Sequence, residues 1–135
     1  MLEKILIIDD EFYIGKLLKT YLEKNSFKVD INCSGRSGLI EALNKNYDLI
    51  ILDFMLPEMD GYQILKKLRR YKSTPVMMLS TQDDKEVANF FLQSGANDFV
   101  VKPFICKDVV DQVKKIIGNE SRGIQNWRNQ YELIK

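Results

Sequence analysis

Five short apolar runs, each followed by a segment of helical periodicity, constrain the fold of this chain more than any other feature. The runs are four to six residues long, and "KILII" and "DLIILD" are almost continuously apolar. Strands of this kind are typical of parallel sheets that are covered by helices on both faces. The alternation therefore predicts an α/β domain with a parallel sheet. The predicted strands span residues 4–8, 27–32, 48–53, 75–80 and 98–101.

Composition and charge exclude several classes of protein. The 135 residues suit one domain with a single sizeable core. A formal net charge of +1 gives no overall field that would attract nucleic acid or an anionic membrane. No stretch approaches the roughly 20 apolar residues of a membrane span, and a cytoplasmic location is predicted. The chain contains no histidine, which excludes histidine-based catalysis and histidine metal ligation.

Polar side chains follow four of the predicted strands at their carboxyl ends, where ligands bind in open parallel sheets. Three carboxylates at such an edge form a hard, oxygen-rich site that suits Mg²⁺. A hydroxyl and an ammonium suit the oxygens of a phosphoryl group. Together they predict phosphoryl transfer through an aspartyl phosphate. The residues concerned are Asp9, Asp10, Asp53, Ser80 and Lys102.

Four motifs resemble those of the bacterial response-regulator receiver domain, in the same order and with the same spacing. They read "IIDDE", "LDFMLPEMDG", "PVMMLS" and "GANDFVVKPF", and the resemblance spans residues from about 4 to 117. It implies a flavodoxin-like (βα)5 fold with sheet order 2-1-3-4-5. We expect a receiver domain over residues 1–118 and a C-terminal extension over residues 119–135.

The resemblance also implies roles for the acidic residues. Asp53 would accept a phosphoryl group from a phosphohistidine of a sensor kinase. Asp10 would bind Mg²⁺ or Mn²⁺ directly, and Asp9 would bind it through water or as an outer ligand. Asp53 and the backbone carbonyl of Met55 would complete the ligands that the protein supplies.

The remaining site residues are expected around the phosphoryl group. Ser80 and Lys102 would each bind a phosphoryl oxygen, and Phe99 would be the rotating aromatic residue coupled to Ser80. Thr81 stands beside the phosphorylation site, where the family usually has a smaller residue. Pro103 suggests a cis Lys102–Pro103 bond, since cis peptides are essentially confined to proline.

The implied partners are a sensor histidine kinase or a phosphotransfer protein as the donor. The surface of the fourth helix, fifth strand and fifth helix would signal to a downstream protein or to the chain's own output domain. The chain itself would bind neither nucleic acid nor membrane, and it would catalyse only its own phosphorylation and dephosphorylation. Uncharged Ala88, Gln93 and Gln112 stand where the winged-helix branch pairs charges between protomers, which disfavours that dimer.

Three alternatives remain at this level. An aspartyl-phosphate phosphatase of the haloacid dehalogenase type needs an acid two residues after its nucleophile, where this chain has Met55. A phosphorylation-independent binding module usually lacks part of the acidic set, which is intact here. The chain is also consistent with the receiver portion of a longer regulator, because no output module fits into the residues after 118.

Two further expectations concern the tail and the cysteines. Ile124, Trp127, Tyr131 and Ile134 follow 3-4-3 spacing. This pattern predicts an amphipathic helix that docks on its own receiver, on a second copy or on a downstream element, with a linker as the alternative.

Cys33 and Cys106 would lie at opposite edges of the sheet, roughly 19 Å apart, and a disulfide needs Cα atoms within about 7 Å. Both are therefore expected to be free thiols.

Overall fold

Five parallel strands form one sheet in the computed structural model, which describes residues 2–83 and 85–118. The strand order is β2-β1-β3-β4-β5, as the resemblance implied. Two strands have the predicted limits, and the other three begin one residue later. The strands are β1 (Lys4–Ile8), β2 (Lys28–Asn32), β3 (Leu49–Asp53), β4 (Val76–Ser80) and β5 (Asp98–Val101).

Each strand leads into a helix, and the helix starts are encoded locally. The Ser34 side chain accepts a hydrogen bond from the Ser37 backbone N–H. Asp60 and Gln63 form a reciprocal capping box, which satisfies two backbone donors at a helix start. These caps begin helices close to the carboxyl ends of the strands. The helices are α1 (Phe12–Lys24), α2 (Gly35–Asn44), α3 (Gly61–Arg69), α4 (Lys85–Gln93) and α5 (106–118).

The sheet divides the apolar interior into two cores. Successive strand residues point to opposite faces, so in β1 the side chains of Ile5 and Ile7 enter one core and those of Leu6 and Ile8 enter the other. The first core contains residues of α1 and α5, and the second contains residues of α2, α3 and α4. The helices thus cover the sheet on both faces.

Helical periodicity located the helices, but it did not settle which apolar residues face the sheet. Leu17 and Ile40 lie on the helical patterns seen in the sequence, yet both are exposed. Phe90 and Phe91 are adjacent in α4 and differ in burial, as expected of an amphipathic helix. Phe91 is fully buried, whereas Phe90 is 47% exposed. Among residues 2–83 and 85–118, no helix is long and apolar enough to cross a bilayer.

Both cysteines are free, as expected. Cys33 is exposed after β2, and Cys106 is buried at the start of α5. The predicted amphipathic helix of the C-terminal extension, residues 119–135, lies outside the described residues.

Candidate functional site

Three aspartates meet at the carboxyl edge of the sheet. Asp9 and Asp10 directly follow β1, and Asp53 is the last residue of β3. Because β1 and β3 are hydrogen-bonded neighbours, with Ile8 beside Leu52, their carboxyl ends come together. One carboxylate oxygen from each aspartate lies within 4.8 Å of the others. The sequence expectation of one acidic cluster is therefore confirmed.

The chemistry of this cluster fits a small divalent cation. Its donors are all carboxylate oxygens, which Mg²⁺ prefers in proteins. Asp9 and Asp53 are buried and Asp10 is exposed, so the cluster reaches from the sheet edge to the surface. Asp9 is also held in place, since its Oδ1 accepts the Glu11 backbone N–H at 2.8 Å.

Lys102, which follows β5, supplies the positive charge that the buried acids need. Its Nζ lies 2.9 Å from Asp9 Oδ2, 2.9 Å from Glu11 Oε1 and 3.4 Å from Asp53 Oδ2. Burial by itself would lower the pKa of Lys102, but the hydrogen bonds to Asp9 and Glu11, together with the charges of Asp9 and Asp53, outweigh burial and raise the pKa above its ordinary value. Lys102 is therefore a cation that is held within the acidic cluster.

Asp53 occupies an environment that opposes its ionisation. Burial, followed by the charge of Asp9, raises the pKa of Asp53 to about 7. The Lys102 ammonium and the Met55 backbone N–H, which donates to the carboxylate, offset only part of this effect. A carboxylate in such a place gains from any further positive charge brought to the cluster.

Ser80 and Phe99 lie on the neighbouring strands β4 and β5. Ser80 ends β4, is fully buried and accepts the Gln82 backbone N–H on its Oγ at 3.1 Å. Phe99 is partly buried, and its ring stacks on Phe91 of α4 with centroids 5.7 Å apart. Ser80 itself pairs in register with Val101. The predicted coupling of Ser80 to Phe99 stays a prediction.

The other predicted site residues border the same edge. The Met55 side chain is 60% exposed in the loop after β3, and Thr81 is exposed directly after β4. The Lys102–Pro103 bond is cis, as expected. The ligand role of the Met55 carbonyl and the steric role of Thr81 remain predictions.

Gly61, the first residue of α3, makes a close backbone contact with the end of β3 and the loop that follows it. The Gly61 N–H donates to the Phe54 carbonyl at 2.8 Å. A Cβ at Gly61 would lie 2.5 Å from the Asp53 carbonyl oxygen and 2.8 Å from the Phe54 Cα. Only glycine allows this close approach, which fixes the backbone that carries the Asp53 carboxylate.

Glu11 is the site residue that sequence reasoning missed. Its carboxylate shares Lys102 with Asp9, although the Glu11 side chain is 55% exposed. The available signal was the third carboxylate of "IIDDE", which directly follows the two predicted metal ligands. The contact itself depends on where β5 delivers the lysine, and this placement is a tertiary property.

Comparisons with known proteins agree with this geometry. Residues 5–114 match a family model described as the response regulator receiver domain. The transcriptional regulatory protein SrrA of Staphylococcus aureus is 44% identical over 117 residues, which cover 87% of this chain and 48% of SrrA. The chain thus spans about half the length of this curated relative.

Solved structures give the same result. The receiver domain of the Francisella response regulator 1452 superposes with a TM-score of 0.83 at 33% identity, covering 86% of this chain and 97% of that one. A BeF3-activated DrrB receiver domain superposes with a TM-score of 0.81 at 28% identity, covering 88% of this chain and 100% of that one.

Proposed function

Because this chain belongs to the response regulator receiver domain family, we propose that Asp53 is its phosphoacceptor. A phosphohistidine on a sensor histidine kinase, or on a phosphotransfer protein, donates the phosphoryl group. The product is an aspartyl phosphate, and its formation and loss switch the surface that a downstream element reads. The chain is thereby a signalling component of a two-component system.

One observation carries this proposal: the buried carboxylate of Asp53 lies beside the Lys102 ammonium and within 4.8 Å of the Asp9 and Asp10 oxygens. Burial and like charge leave Asp53 short of positive charge at neutral pH, as its raised pKa of about 7 reflects. Such a site favours binding of a divalent cation and then of a phosphoryl group, whose charge the cation and the lysine offset.

The transfer itself is a displacement at phosphorus. An Asp53 carboxylate oxygen forms a bond to phosphorus, while the bond from phosphorus to the donor's imidazole nitrogen breaks and the imidazole keeps the electron pair. Asp10, Asp53 and the Met55 carbonyl would hold Mg²⁺, with Asp9 binding through water or as an outer ligand, and the ion would supply positive charge beside the phosphoryl oxygens. Lys102 donates to one of the phosphoryl oxygens, and the Ser80 hydroxyl donates to another.

The output is proposed from the relatives. SrrA is named a transcriptional regulatory protein, and this chain matches about half of its length. We infer that a DNA-binding or enzymatic output element, in the same polypeptide or in a partner, reads the surface formed by α4, β5 and α5. Residues 1–118 form the receiver in this proposal, and residues 119–135 are a C-terminal extension.

The test is direct phosphorylation of the purified chain. Incubation with a small phosphodonor and Mg²⁺ should add the mass of one phosphoryl group, and base should remove it. Asp53→Asn should abolish the gain, and omission of Mg²⁺ should greatly reduce it. Asp108→Asn, at an exposed position of α5, is the matched control and should be phosphorylated like the parent chain. A gain in mass that survives in the Asp53→Asn variant would contradict the assignment.

A further inference from the structure

The Lys102 ammonium has three N–H groups, and three different carboxylates face it. Asp9 and Glu11 accept hydrogen bonds at 2.9 Å, and Asp53 lies at 3.4 Å. Two of the three, Asp9 and Asp53, belong to the acidic cluster that fits a divalent cation. Glu11 is not one of the three clustered aspartates, and its carboxylate accepts a hydrogen bond from Lys102.

A cation in the cluster and the Lys102 ammonium would compete for the carboxylates of Asp9 and Asp53. The Lys102 side chain is only 6% exposed, and a buried ammonium is costly unless it keeps a charged partner. If the Asp9 carboxylate turns toward a cation, Lys102 needs another carboxylate, one that does not bind the cation. Glu11 is such a carboxylate, and its Oε1 already lies 2.9 Å from the Lys102 Nζ.

The backbone of Glu11 is well placed for such a role. It stands at the N-cap position of α1, and its carbonyl accepts the N–H groups of Ile14 and Gly15. Its own N–H donates to the carboxylate of Asp9. The start of α1 therefore anchors the Cα of Glu11, while the half-exposed side chain is free to follow the lysine.

We propose that Glu11 is a positioning residue that keeps Lys102 paired and in place when Asp9 and Asp53 turn toward the bound cation. The inference deepens the proposed function, on which it rests, because it concerns the same cation and phosphoryl site. Glu11 itself touches neither the cation nor the phosphoryl group. Its effect on cation binding passes through the lysine.

A double-mutant cycle separates this role from a general effect of negative charge. Mg²⁺ affinity is measured by amide NMR titration in the parent chain, Glu11→Gln, Lys102→Met and the double variant. We expect Glu11→Gln to weaken Mg²⁺ binding about twofold to fivefold, as befits a half-exposed ion pair. In the Lys102→Met background the same substitution should have almost no effect.

The matched control is Glu58→Gln, an equal loss of charge at an exposed position in the loop that follows β3 on the same edge of the sheet. It should leave the affinity unchanged within error. An equal loss from Glu11→Gln in both lysine backgrounds would overturn the proposal, because the effect would then be one of charge at a distance.

A second measurement follows the lysine directly and needs no change at Lys102. In the Mg²⁺-bound parent chain, the Lys102 ammonium protons should exchange slowly with water, because Glu11 holds them. In Mg²⁺-bound Glu11→Gln they should exchange faster. Equal exchange rates would overturn the positioning role while leaving the phosphoacceptor assignment intact. Failure of the parent chain to bind Mg²⁺ would instead refute the proposed cation site itself.

Discussion

At the scale of single residues, the site is governed by the imbalance of charge around Asp53. Burial and the neighbouring Asp9 raise the pKa of Asp53 to about 7, and Lys102 offsets only part of that effect. The metal-free state therefore stores unfavourable electrostatic energy in this carboxylate once it is ionised. A divalent cation bound at the three aspartates would relieve this imbalance.

This imbalance predicts how the stability of the metal-free chain depends on pH. Between about pH 4 and pH 7 the folded chain keeps a proton on Asp53 that the unfolded chain has lost. The contribution of Asp53 to the free energy of unfolding is full below this window and is lost as the pH rises through it. Asp53→Asn removes that loss. The free energy of unfolding of the variant should therefore exceed that of the parent chain by an amount that grows with pH, on the order of 2–4 kcal/mol by pH 8.

The measurement is chemical denaturation in a chelator at several pH values. Asp108→Asn is the control, since it removes one carboxylate at an exposed position. If the difference in free energy of unfolding between Asp53→Asn and the parent chain stays constant from pH 5 to pH 8, Asp53 does not titrate in this window.

At the scale of elements, the loop after β3 and the start of α3 are joined by one close backbone contact. Gly61 lets α3 begin against the carbonyl of Asp53, and the Asp60–Gln63 capping box completes that start. The start of α3 and the end of β3, which carries the proposed phosphoacceptor Asp53, are therefore in direct contact.

Gly61→Ala should disturb this contact. The added methyl would meet the Asp53 carbonyl oxygen at 2.5 Å, so either the strand end or the helix must shift. We expect a loss of about 1–3 kcal/mol in the free energy of unfolding and slower phosphorylation. In the matched control, Gly15→Ala in α1, the methyl would lie 3.4 Å from Ile31 Cγ2 and should be tolerated. Equal stability of the two variants would argue against the contact.

Particular elements also show what could be read from the sequence. The strands and the aspartate cluster were predicted because a parallel sheet gathers its carboxyl ends at one edge. The Lys102–Glu11 pair was not, because it depends on how the chain after β5 approaches the loop after β1. Likewise, the apolar pattern of α1 includes both buried Leu18 and exposed Leu17, and only tertiary packing distinguishes them.

At the scale of the whole molecule, aromatic rings connect the site to α4 and β5. Phe54, which follows the proposed phosphoacceptor Asp53, meets Phe91 edge-on with centroids 4.9 Å apart. Phe91 in turn stacks on Phe99 and contacts Phe90, whose ring lies 4.8 Å from that of Tyr62. A shift of the backbone near Asp53 can therefore reach the surface of α4 through these ring contacts.

Beryllofluoride, which mimics a phosphoryl group, should make this route visible. With Mg²⁺ present, we expect changed amide hydrogen exchange in α4, β5 and the start of α5, because the ligand must favour one of two arrangements of these elements. The exposed side of α2, on the other edge of the molecule, serves as the internal reference and should change little. Changes confined to the residues around Asp53 would argue against a switch.

The separation of the interior by the sheet has a consequence for how such a chain can change over evolutionary time. Residues of the core under α1 and α5 contact one face of the sheet, and those under α2, α3 and α4 contact the other. Substitutions that are more than about 7–10 Å apart and share no partners usually have additive effects on stability. One side of the molecule can therefore accumulate substitutions while the opposite side keeps its packing, and α4 and α5, which pack on opposite faces, can diverge in sequence independently of one another.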